Sequence, residues 1–118
     1  MWSPVALAGP AYTIAAPPGD NLAFHRALGE CPPAAVLVAA TGNASDAAVW
    51  GEVLTVAALE RGLLGLVTDR AVRDARRIRE LGSPVFAAGT TPAGAAKTEP
   101  GELGVRVRLG GVEVAAGD

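Results

Sequence analysis

Apolar and polar positions alternate along the chain in short blocks, and the blocks change period several times. Ala11–Ala15 (AYTIA) is a short mixed segment ended by Pro17-Pro18, two residues that cannot donate to a sheet ladder, so it reads as a strand. Gly19-Asp20-Asn21 then opens a helix running to about Gly29, with Asp20 placed to cap its free N–H groups and Leu22, Ala23 and Leu28 facing inward. Cys31-Pro32-Pro33 breaks that helix. Val36–Ala40 (VLVAA) is a continuous apolar run of strand length, the pattern of a strand covered on both faces.

Thr41–Asp46 (TGNASD) is a loop of turn formers. From Trp50-Gly51 the apolar residues Val53, Val56 and Ala57 recur at helical spacing, and Arg61-Gly62 supplies a basic last turn followed by a residue suited to left-handed backbone. Leu63–Thr68 (LLGLVT) reads as a second buried strand and Asp69–Ala71 as a turn. Val72–Leu81 reads as a charged surface helix closed by Gly82, and Val85–Ala88 as a further strand. Thr90–Gly101 is loop-like. Val105–Leu109 and Val112–Ala115 flank Gly110-Gly111, the pattern of an antiparallel hairpin. Strands alternating with helices predict an α/β layered domain with parallel βαβ units and a C-terminal antiparallel hairpin.

Composition narrows the classes. With 118 residues, the chain has room for one domain. Ten Lys and Arg against twelve Asp and Glu give a net charge of -2, without the basic excess a phosphate grip needs, so nucleic acid is not an expected partner. The Arg70, Arg73, Arg76, Arg77 and Arg79 cluster is interleaved with Asp69, Asp74 and Glu80 and reads as a solvated face. Aromatics are 4%, so the core is built from Ala, Val and Leu, and a small domain of this kind is expected to bury a face in an oligomer. Met1–Ala16 lacks a basic start and is interrupted by Pro4 and Pro10, unlike a signal peptide, and no apolar run reaches membrane-spanning length; a cytoplasmic protein is expected, with no membrane partner. Cys31 has no partner thiol and reads as inert. His25, the one histidine, reads as a packing or hydrogen-bonding residue rather than a catalytic one.

One constellation points to chemistry. Gly51-Glu52-Val53-Leu54 begins a helix, and twenty residues separate Glu52 from Arg73-Asp74. A helix of about ten residues rises roughly 15 Å and a strand of about five returns nearly as far, so both ends of this interval meet at the carboxyl edge of the sheet. There the free amides of residues 51–54 suit a carboxylate, Arg73 can grip a carboxylate or keto oxygen, and Asp74 is a hard oxygen donor for Mg²⁺, with Glu52 able to hold its waters. A purely structural Arg-Asp pair at a helix start satisfies the same spacing.

These residues, with Gly19-Asp20-Asn21-Leu22, Val36-Leu37-Val38, Trp50-Gly51-Glu52, Gly62-Leu63-Leu64-Gly65, Val72-Arg73-Asp74 and Pro84-Val85-Phe86-Ala87, make the chain similar to the RraA-like family from about Ala8 to Asp118. Its members include 4-hydroxy-4-methyl-2-oxoglutarate aldolases that also decarboxylate oxaloacetate, and the regulator of ribonuclease E activity. The resemblance implies a swivelling-type β/β/α fold over a single domain, residues 1–118, shortened at both termini relative to the family. It implies that Gly51, Glu52, Val53 and Leu54 line the substrate carboxylate, that Arg73 contacts a short 2-oxo dicarboxylic acid, that Asp74 binds a divalent metal, and that the assembly is a homotrimer. The alternative within the family is a non-catalytic regulator of a ribonuclease or helicase.

Overall fold

The structure, a computed structural model, describes residues 8–41 and 47–118. Most of the expected polar loop after Thr41 lies outside them, as do Met1 and Pro4. The elements run β1 (Ala11–Ala15), α1 (Leu22–Glu30), β2 (Val36–Ala40), β3 (Ala48–Trp50), α2 (Glu52–Glu60), β4 (Gly65–Thr68), β5 (Ala71–Val72), α3 (Ala75–Leu81), β6 (Val85–Phe86), β7 (Gly89–Thr90), β8 (Glu102–Leu103), β9 (Val107–Leu109) and β10 (Val112–Val114). Five strands form one sheet in the order β6-β4-β2-β1-β8, parallel except for β8, which pairs antiparallel with β1. A second, smaller sheet, β3-β5-β7, is parallel throughout, and β9-β10 is the expected hairpin. The chain thus has a mixed α/β fold with parallel sheets and a C-terminal antiparallel hairpin.

The apolar run of β2 is explained by its position. Leu37 and Ala39 enter the main core beneath the helices, whereas Val36 and Val38 pack with Val107 of the hairpin on the opposite face. Every second residue therefore serves a different core, and no position is free to be polar. In the main core Phe24 meets Trp50 edge to face with ring centroids 6.1 Å apart, joining α1 to the end of β3.

Three local expectations are corrected. The inward face of α2 is Leu54, Thr55 and Ala58, and not Val53, Val56 and Ala57; Val53 is 76% exposed. The helix is apolar around most of its circumference, so periodicity does not single out a face, and polar bonds fix its rotation instead. Trp50 Nε1–H donates to Thr55 Oγ1 at 2.8 Å, and that hydroxyl donates to the Gly51 carbonyl at 2.8 Å. The charged helix begins at Ala75 rather than Val72, because Ala71 and Val72 pair as β5 between β3 and β7. Asp74 holds the left-handed N-cap position at φ 61°. Between the loop-like stretch Thr90–Gly101 and the hairpin lies β8, a strand the sequence did not predict because its two residues are too few to carry a period. Among the described residues, no helix is long and apolar enough to cross a membrane.

Candidate active site

The return path differs from the expected one. β4 carries the chain back inside the large sheet, and a turn at Asp69-Arg70 then passes it into the small sheet, where Val72 lies beside Trp50. The Arg73 N–H donates to the Trp50 carbonyl at 2.9 Å, and the Thr91 N–H to the Val72 carbonyl at 3.0 Å. The carboxyl ends of β3, β5 and β7 therefore lie side by side, and the residues immediately after them share one edge. It is the small sheet that brings the two halves of the constellation together.

The approach is close. A methyl group added at Gly51 would lie 3.0 Å from Arg73 Cγ, 3.0 Å from Asp74 Oδ2 and 3.2 Å from Arg73 Nε. Gly51 is required here by space, since its backbone is extended at φ -159°. The Glu52 N–H donates to Asp74 Oδ2 at 3.1 Å, and Arg73 Nε stands 3.9 Å from the same oxygen. One of the helix's three free first-turn amides is thus taken by Asp74. Those of Val53 and Leu54 belong to the same turn, which offers no intrahelical acceptor. Glu52 is turned toward α3, where its Oε2 accepts from Arg77 Nε at 3.0 Å.

Arg73 lies between two cavities. Asp74, Thr90 and Thr91 line one of about 380 Å³ with it. The other, of about 250 Å³, has Gly51, Val53, Leu54 and Arg73 on one side. Its opposite side carries residues that sequence reasoning did not place in a site: Asn21 and His25 of the α1 region, and Lys97. Asn21 Nδ2 donates to the Val49 carbonyl at 3.2 Å, leaving its buried Oδ1 without a partner, and the buried His25 Nε2 also lacks one. Burial first, and the Lys97 charge second, push the His25 imidazole below its ordinary pKa, so the ring is neutral near pH 7. Among the described residues the charged side chains lining this cleft are Arg73 and Lys97, both cationic. Such a cleft favours an anion with more than one acidic end.

Of the predicted residues, Gly51, Val53, Leu54 and Arg73 share the cleft, while Asp74 reaches its rim from the neighbouring cavity and Glu52 faces Arg77. The sequence signal for Asn21 and His25 was present in their four-residue helical spacing; none marked Lys97.

A βαβ-built α/β domain with a cationic cleft at the carboxyl ends of parallel strands is the class this fold and edge define. The chain belongs to the RraA-like family, whose aldolase/RraA model matches residues 1–118. It is 37% identical over 110 residues to a Halalkalibacterium halodurans protein named "Putative 4-hydroxy-4-methyl-2-oxoglutarate aldolase", covering 93% of this chain and 52% of that protein. It spans about half the length of that relative. Its fold matches a crystal structure described as an S-adenosylmethionine:2-dimethylmenaquinone methyltransferase from Geobacillus kaustophilus HTA426, with TM-score 0.88, 32% identity and coverage of 94% of this chain and 68% of that one. It matches the RNA-processing inhibitor RraA from Thermus thermophilis with TM-score 0.87, 33% identity and coverage of 94% and 67%.

Proposed function

We propose that this chain is a divalent-cation-dependent carbon–carbon lyase that releases pyruvate from a short 2-oxo dicarboxylic acid. Cleavage of 4-hydroxy-4-methyl-2-oxoglutarate is the reaction favoured, with decarboxylation of oxaloacetate at the same site. The observation that carries the reading is the convergence of Gly51, Arg73 and Asp74 to contact distance at the mouth of a cationic cleft.

The α2 first-turn amides of Val53 and Leu54 receive the carboxylate beside the keto group, as helix N-termini do for anions. Gly51 lets Arg73 and Asp74 close up beside those amides. Arg73 faces the keto oxygen, where negative charge grows as the carbon–carbon bond breaks and its electron pair passes into the enolate. Glu52 orients water at the rim and takes up, through that water, the proton of the substrate's tertiary hydroxyl. Protonation of the enolate carbon then yields pyruvate. On the far side Lys97 holds the distal carboxylate, with His25 donating from Nε2–H.

Asp74 would hold the cation. Its carboxylate is 43% exposed, anchored through Oδ2 by the Glu52 N–H, and no group of three or more His, Cys, Asp or Glu able to hold a metal occurs among the described residues. A single hard carboxylate open to solvent suits Mg²⁺, which keeps most of its waters, and does not suit a closed cage of the zinc type. When bound, Mg²⁺ supplies Lewis-acid polarisation of the 2-oxo group. Burial of a face in an oligomer, a homotrimer in this reading, is supported by Val53, 76% exposed at the cleft mouth, with the exposed Val56 and Leu59.

Pyruvate release from oxaloacetate, measured with and without Mg²⁺ and repeated on Asp74→Ala, tests the reading. Turnover that requires both the cation and Asp74 supports it. Turnover indifferent to either counts against it, and no turnover favours the second reading, a non-catalytic regulator of a ribonuclease or helicase, to which the likeness to the RraA inhibitor points.

A further inference from the structure

Asp20 is 3% exposed and is not among the groups that the lyase reading employs. Its contact with the helix start uses one oxygen only: Oδ1 accepts the Leu22 N–H at 3.0 Å, while Asn21 holds the N-cap position. Oδ2 accepts three donors from far along the chain, the Thr98 N–H at 2.8 Å, the Thr98 hydroxyl at 2.8 Å and the Glu99 N–H at 3.1 Å. Backbone pairing adds to this on the other side of Lys97, where the Ala96 N–H donates to the Gly19 carbonyl at 2.8 Å and the Asn21 N–H to the Ala96 carbonyl at 2.9 Å. Lys97 is therefore held between two anchored neighbours in a segment with no helix of its own.

The geometry points to Asp20 as a positioning residue: its carboxylate clamps the segment around Lys97 onto the start of α1, so that the Lys97 cation faces the cleft across from Arg73. The clamp stands on geometry alone, while the identity of the anion that Lys97 meets rests on the lyase reading. A helix that needed only capping would be served by one acceptor. The four donors collected by a single buried carboxylate tie two regions together, and Lys97 is the one side chain of the tied segment that brings charge to the cleft.

His25 gives a readout independent of catalysis. It is the chain's one histidine, so its imidazole gives a single titration curve by NMR. Lys97→Met removes a neighbouring cation and raises that pKa. In Asp20→Asn the two explanations have opposite signs. Loss of the carboxylate charge alone lowers the imidazole pKa, whereas release of Lys97 raises it.

The expected result is an upward shift in Asp20→Asn of the same sign as in Lys97→Met, with the double variant moving no further than Lys97→Met. For oxaloacetate with Mg²⁺, KM is expected to rise about tenfold in each single variant and kcat to change less than about threefold, again without additivity in the pair. A folded Asp20→Asn whose His25 titration is unchanged or lowered, or additive KM effects, overturns the clamp. Should Asp20→Asn fail to fold, Thr98→Val removes one of the three Oδ2 donors and is expected to shift His25 upward by a smaller amount; no shift overturns the proposal. Absence of pyruvate release in the parent chain itself would count against the lyase reading, while the His25 titration would still decide the clamp.

Discussion

The two sides of the cleft are built on opposite principles. The side formed by Gly51, Arg73 and Asp74 is open, with Arg73 and Asp74 side chains 51% and 43% exposed, and its geometry comes from strand pairing in a very small sheet. The side formed by Asn21, His25 and Lys97, of which Lys97 is itself exposed, hangs on the buried carboxylate of Asp20 and holds two buried polar atoms without partners. Exposed charged groups can exchange partners with solvent and ligand at little cost, which suits bond breaking. Buried unpaired polar atoms are costly to keep without a ligand, which suits recognition. In the proposed reading the difference separates chemistry from selection within one cavity.

Substitutions should break the two sides differently, and the largest effect is expected on the open side. Arg73→Ala is expected to lower kcat for pyruvate release about 100- to 1,000-fold while leaving the thermal midpoint nearly unchanged, as removal of a donor to developing charge does. Gly51→Ala follows, because its methyl group meets Arg73 and Asp74 at 3.0 Å. Displacement of those side chains is expected to cost about 10- to 100-fold in steady-state turnover, with the fold retained by circular dichroism.

The buried side should show itself in stability. Burial pushes the Asp20 carboxyl up, but its bonds from Leu22, Thr98 and Glu99 outweigh that and hold it at about 2 against an ordinary 3.8. A folded-state value below the unfolded one gives stability that is present above pH about 4 and lost as pH falls toward 2, about 2 kcal/mol in all. Urea unfolding of the parent at pH 5 and pH 2.5 should show this increment, and Asp20→Asn should lack it. The smallest stability effect is expected for Glu52→Gln. Its ion pair with Arg77 is exposed on both sides, and the thermal midpoint should move by no more than about 2 °C.

The sequence made the open side readable because its parts are linked by one helix and one strand, whose lengths can be estimated from residue counts. Even so, that reading had a single sheet, since a pairing of only two residues, Ala71-Val72, with β3 and β7 leaves no pattern in the sequence. β2 and the hairpin were legible for the opposite reason, being long enough to show a pattern, an unbroken apolar run in one and alternation about Gly110-Gly111 in the other. α2 was legible as a helix but not in its orientation, because Thr55 is buried through hydrogen bonds that hydrophobic spacing does not encode. The buried side was least legible. Lys97 reaches the cleft through contacts with Gly19, Asp20 and Asn21 made by its neighbours 75 or more residues away, and no local spacing announces them.

Exchange of the methyl protons of pyruvate for deuterium in D₂O, followed by proton NMR, probes enolate formation without the rest of the substrate. The account predicts exchange that needs Mg²⁺, is lost in Asp74→Ala and Arg73→Ala, and survives in Lys97→Met because pyruvate has no distal carboxylate. Exchange that persists in Asp74→Ala, or that is absent from the parent chain with Mg²⁺ present, would contradict it.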